Sequence, residues 1–143
     1  MANIVPDSFK TDTLKGTFNF DSSGGSTFKI ALFTSLGGFS TSTTSYSGAA
    51  NEVANGSGYT TGGNTLTNNG VAVASNIAFV DFANTTWSSA SITAVGALIY
   101  KSSSNEAVLV LDFGGTKTST NGDFEIAFPA ATSSDAIIRL GDA

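Results

Sequence analysis

Ser91-Ile-Thr-Ala-Val-Gly-Ala-Leu-Ile-Tyr-Lys101 is the longest apolar run of the chain. Read with a period of two, Ile92, Ala94, Gly96, Leu98 and Tyr100 share one face, and Val95, Ala97 and Ile99 share the other. Neither face is polar, so the run reads as a central strand buried on both sides, with neighbours along both edges. Other segments supply those neighbours. Residues 27–33 set Phe28, Ile30 and Leu32 against Lys29, while Ala31 and Phe33 leave the second face partly covered. Residues 77–82 carry Phe79 on one side and Val80 and Phe82 on the other. Residues 107–113 align Ala107, Leu109, Leu111 and Phe113. Residues 122–128 point Phe124, Ile126 and Phe128 inward and Asp123 and Glu125 outward. No segment shows a convincing helical period.

Glycine-rich punctuation separates these runs. Ser23-Gly24-Gly25, Gly37-Gly38, Gly62-Gly63, Asn69-Gly70, Gly114-Gly115 and Asn121-Gly122 all favour turn backbones. Asn69-Gly70 is a candidate type I′ hairpin, and residues 102–105 form a longer hairpin loop between the two strongest strands. Short strands at regular spacing define an all-β chain, an antiparallel β-sandwich, jelly-roll-like, of about eight strands. The expected core is Phe28, Ile30, Leu32, Phe79, Ile92, Leu98, Leu109, Leu111, Phe124, Ile126 and Phe128. Residues 1–13, with Pro6 and mixed polarity, read as an extended N-terminal arm outside a single domain spanning 14–143. Residues 41–55 are small and polar, either a surface loop that a partner orders or a loosely packed connection.

Composition removes whole classes of chemistry. Among 143 residues there is no cysteine and no histidine. Disulfides, thiolate metal sites, cysteine nucleophiles and the commonest general base are therefore absent. Charged residues make up only 12% of the chain, about half the usual share, and the net charge is −5. Its five lysines and Arg139 are scattered rather than clustered, which argues against nucleic acid as a partner. No run approaches the roughly 20 apolar residues of a membrane helix, and the N-terminus lacks the pattern of a signal peptide. Polarity is carried by Ser, Thr, Asn and Gly, a surface that can be buried against a partner without desolvating charge.

The remaining constellations of polar residues each have a plainer structural reading. Asp81, Asp112, Asp123 and Glu125 are candidates for an acid–base pair such as a glycosidase needs, but outward-facing carboxylates are the default. Asp21 with Ser22 and Ser23, or Asn121 with Asp123, could offer oxygens to calcium, yet both fit self-bonded turns better. Gly62-Gly-Asn-Thr65 and Gly114-Gly-Thr-Lys117 lack the following helix of a phosphate loop and read as turns. A Ser–Lys nucleophile has no distinguishing spacing here. A glycan cleft would centre on Trp87, Tyr46 or Tyr59. We expect no catalytic residue, no metal and no cofactor.

Several segments together resemble a family of small β-rich structural proteins of tailed bacteriophages, proteins of the capsid decoration or cement type. They are Ser8-Phe-Lys10 to Leu14, Thr27-Phe-Lys-Ile-Ala-Leu-Phe-Thr-Ser35, Asn51-Glu-Val53 with Gly58-Tyr-Thr-Thr-Gly-Gly-Asn-Thr-Leu66, Ile92 to Tyr100, Val110-Leu-Asp-Phe-Gly114, Ser119-Thr-Asn-Gly-Asp-Phe124 with Phe128-Pro129, and Asp135-Ala-Ile-Ile-Arg-Leu140. The resemblance runs nearly the whole length, in order. It implies a non-enzymatic virion component and does not itself decide between head and tail. A rigid β domain with an arm and a small polar loop to lay across neighbours favours a cement protein on the outer surface of the capsid, partnered by the major capsid protein and by further copies of itself as a trimer or dimer. The alternatives it leaves open are a tail or neck accessory protein and a virion surface protein that binds host glycans. On this reading the contact residues are Ile4, Val5 and Phe9 on the arm, Phe18 and Phe20 beside the 21–26 turn, and Tyr46 and Glu52 in the 41–55 segment, with neither nucleic acid nor membrane as a partner.

Overall fold

The computed structural model describes residues 2–47 and 49–141; Met1 of the arm, Gly48 of the 41–55 segment, and Asp142 and Ala143 at the end of the expected domain lie outside the described residues. One helix, α1 (Asp7–Leu14), precedes nine strands: β1 (Phe28–Phe33), β2 (Asn64–Thr65), β3 (Asn68–Ala74), β4 (Ile77–Phe82), β5 (Thr85–Ala90), β6 (Thr93–Lys101), β7 (Ala107–Thr118), β8 (Gly122–Ile126) and β9 (Ile138–Leu140). They form three sheets, ordered β2-β1-β6-β7, β3-β4-β9 and β5-β8, and every strand pair is antiparallel.

The run 91–101 does what its two apolar faces require. As β6 it lies between β1 and β7, and residues 96–100 are all buried. On one face, Phe28, Ile30 and Leu32 of β1 join Ala97 and Ile99 of β6. Val80 and Phe82 of β4, Trp87 of β5 and Phe124 and Ile126 of β8 belong to the same cluster. The two smaller sheets thus cover one side of the four-stranded sheet, which is a sandwich-like arrangement. On the other face, Ala31 and Phe33 of β1 and Leu98 and Tyr100 of β6 pack with Leu36, Phe39 and Tyr46. There the cover is the connection between β1 and β2, not a strand layer. Of the expected core, only Phe128 is half-buried; the others are buried.

Three local expectations are corrected. The hairpin turn falls at Ser75-Asn76, with φ of 50° and 64°, and not at Asn69-Gly70. Asn69 and Gly70 lie inside β3 at a bulge, where Asn68 Oδ1 accepts a hydrogen bond from Gly70 N at 2.8 Å. Gly114-Gly115 likewise marks an irregularity within β7 instead of a strand-ending turn. Because of it the β6 register jumps between Ala94 and Gly96. Ala94 consequently packs with Ala97 and Ile99, so the strict alternation read across 91–101 breaks at that point.

The arm is also corrected. Residues 7–13 are not extended, because α1 occupies Asp7–Leu14. Pro6 stands at its N-cap, where its missing N–H costs no helical hydrogen bond, and Asp7 in the first turn complements the helix dipole. Gly16, at φ 83°, ends the helix: its N–H bonds Thr13 O at 3.1 Å, and Thr17 N bonds Asp12 O at 2.9 Å. This is the paired closure that a left-handed glycine after the last turn allows. Ahead of the helix, Ile4 exchanges both backbone hydrogen bonds with Val110, each 2.9 Å long, so the start of the chain lies along the edge of β7.

Candidate docking surface

The seven expected contact residues divide into three groups. Phe9, Phe18 and Phe20 are buried within the main core. The Phe9 and Phe18 ring centroids are 5.1 Å apart, and Phe20 stacks on Phe28 at 4.7 Å and 4°. They are therefore not free anchors for a partner. Helix α1 rolls Phe9 inward, and the segment after Gly16 brings Phe18 and Phe20 beside it. Such a cluster gains more from mutual burial than any of its rings would gain alone.

Tyr46 and Glu52, half-buried, form the second group. The Glu52 carboxylate accepts hydrogen bonds from Tyr46 Oη, Tyr59 Oη and Gly62 N, each at 2.7 Å. Tyr59 Oη in turn accepts from Leu32 N at 3.0 Å, and Tyr100 Oη donates to Gly62 O at 2.7 Å. The Tyr46 and Tyr100 rings stack at 4.2 Å. Burial, reinforced by the Glu52 carboxylate, pushes the Tyr46 phenol well above its ordinary range. Burial raises Tyr59 strongly too: the Leu32 N–H opposes the shift, and Glu52 adds to it. Tyr100 is pushed up to about 12, by burial first and Glu52 second. The cluster is a clasp that fixes the 41–63 segment to β1 and β6. All three phenols are engaged, so it offers no reactive group.

Ile4 and Val5 form the third group, and Val5 leads to the surface that sequence reasoning missed. A groove of about 490 Å³ opens between α1 and the β3-β4-β9 sheet, with almost wholly apolar walls. The sheet register explains those walls. Val71, Val80 and Ile138 lie in one cross-strand row, and Val73, Ala78 and Leu140 lie in the next on the same face. Helix α1 adds Phe9, Thr13 and Leu14 from above. The large exposed apolar residues of the described chain are Val5 (41%), Leu14 (82%), Val71 (54%), Val73 (72%) and Leu140 (64%). Four of them line the groove, and Val73 shares its sheet face. Thr13 Oγ1 is buried there without a hydrogen-bond partner. The charged groups among the lining residues, Lys10 and Arg139, are both basic.

The other constellations find structural places. Trp87 is 4% exposed and Tyr59 is buried, so neither provides an open aromatic platform for a sugar. Asp112 and Glu125 sit on different sheets; Asp112 Oδ1 accepts from Gly114 N at 2.9 Å, and Glu125 Oε2 accepts from Thr86 Oγ1 at 3.3 Å. Gly62 and Gly63 belong to the tyrosine clasp and its contact with β1. Among the described residues, no group of three or more acidic side chains is placed to hold a metal ion.

These features define a class: an antiparallel, sandwich-like β-domain whose exposed large apolar side chains converge on one groove. No protein family, curated protein or solved structure matches the chain in comparisons of sequence and fold.

Proposed function

We propose that this chain is a virion structural protein, a capsid cement or decoration protein that binds major capsid protein subunits and stabilises the shell from its outer surface. The observation carrying this reading is the convergence of Val5, Leu14, Val71 and Leu140 on one apolar groove. Large apolar patches left open to water mark docking surfaces. At roughly 25 cal/mol per Å2 of apolar area covered, a groove of this kind supplies a useful share of a binding energy. Of the two basic residues at its rim, Lys10 is already paired with Asp7 at 2.8 Å, which leaves Arg139 to favour an acidic group on the partner. The resemblance to phage structural proteins supplies the setting, and many copies on a symmetric shell would add avidity to a modest single contact.

Capsids assembled with and without this chain provide the test. Particles lacking it should release their genomes at lower temperature and lower salt than complete particles, and adding purified protein should restore resistance. Equal survival of both kinds would refute the role. In the restored particles, Leu14→Ser with Val71→Ser should bind poorly. These substitutions touch exposed side chains and should leave folding intact.

A further inference from the structure

We propose that the free edge of β3 is a self-association surface, at which two copies of this chain pair antiparallel about a two-fold axis through Ala72. The inference concerns the purified chain and does not depend on the capsid reading.

The edge is open. Ala74 and Ile77 close the two-residue Ser75-Asn76 turn, so they form a hydrogen-bonded pair. Alternation then turns the backbone groups of Ala72 toward Phe79 of β4, and those of Val71 and Val73 away from the sheet. Among the described residues no strand pairs with β3 on that side. Elsewhere the edges are managed. The β7 edge meets Ile4 and, just before the strand, the Ser45–Glu106 bridge. Asn64 of β2 bonds Thr85 and Thr86. Strand β8 carries Asp123 and Glu125, and β9 carries Arg139. Natural sheets blunt exposed edges with such covers and charges. Strand β3 has a cover only at its start, where residues 20–22 lie against Asn68 and Gly70; Val71–Ala74 have neither cover nor charge, for no charged residue occurs between Glu52 and Asp81.

The partner that best fits this edge is a second copy. With the axis at Ala72, Val71 of one copy stands opposite the partner's Val73, and each exchanges both its N–H and its C=O. The two Ala72 residues meet as the close, non-hydrogen-bonded pair, where a small side chain is suited. The valines of both copies fall on one face, side by side across the new strand pair. No like charges meet across the axis, and a two-fold contact of this kind closes without growing into a filament.

Sedimentation and light scattering across a concentration series, combined with amide hydrogen exchange, test the pairing. The expected result is a concentration-dependent rise to twice the 14.5 kDa chain mass. The Val71 and Val73 amides should be protected at high concentration and exchange at least tenfold faster on dilution. The Ala72 and Ala74 amides should stay protected throughout. Val73→Pro removes only an outward donor, and Val71→Lys places like charges near the axis; both should remain folded by circular dichroism and monomeric. A wild-type chain that stays monomeric, as it would if this edge served only a different protein, overturns the proposal. So does a dimer that survives both substitutions, or Val71 and Val73 exchange that ignores concentration. Should either variant fail to fold, the wild-type exchange pattern decides alone.

Discussion

Glu52 holds the longest stretch of irregular chain in place. Its carboxylate gathers two phenols and a backbone N–H within 2.7 Å, and hydrogen bonds to a charged group are about twice as strong as neutral ones. Glu52→Ala leaves Tyr59 Oη and Gly62 N without this acceptor and should cost about 2 to 3 kcal/mol in denaturant unfolding. The phenols also set an alkaline limit. In the unfolded chain they ionise near pH ~10. Folding keeps Tyr46, Tyr59 and Tyr100 protonated to higher pH. The folded state therefore holds more protons than the unfolded state in that range, and stability falls as pH rises. The clasp should contribute fully below pH ~10 and weaken as pH climbs through the value of about 12 set for Tyr100 and beyond. Tyrosinate absorbance followed alongside circular dichroism should show ionisation delayed until the fold opens. Of this cluster the sequence offered Tyr46 and Glu52 as contact residues. Their burial against each other could not be read from spacing, because the link to Tyr100 crosses long sequence separations.

Among the elements, five of the nine strands were legible and the helix was not. β1, β4, β6, β7 and β8 were foreseen because alternation or two-sided apolarity is written into them. α1 has only Phe9 buried and presents no apolar stripe, so periodicity could not reveal it. Its punctuation was present nonetheless, in Pro6-Asp7 at the start and Gly16 at the end. The consequence for Phe9 is testable. As a core residue it should cost about 3 to 5 kcal/mol when changed to alanine, measured by denaturant unfolding of the isolated chain. Were it a free anchor, the isolated chain would be unaffected and only assembly would weaken. β3 was missed for a related reason: the expected turn at Asn69-Gly70 is occupied by a bulge, and the chain turns six residues later, at Ser75-Asn76.

In the whole molecule, one side of the four-stranded sheet is covered by two small sheets and the other by a pinned connection. The groove beneath α1 could not be read from the sequence. It takes shape only when β9, from the end of the chain, pairs with β4 and faces a helix from its beginning. The proposed role rests on that surface being covered in the assembled particle. A reconstruction of particles that contain this chain tests the claim most directly. The account predicts density for it on the outer face of the shell, in numbers comparable with the major capsid protein, with Leu14, Val71 and Leu140 turned toward a capsid subunit. Density confined to the tail or neck, or a shell-bound chain whose groove faces open solvent, would contradict it.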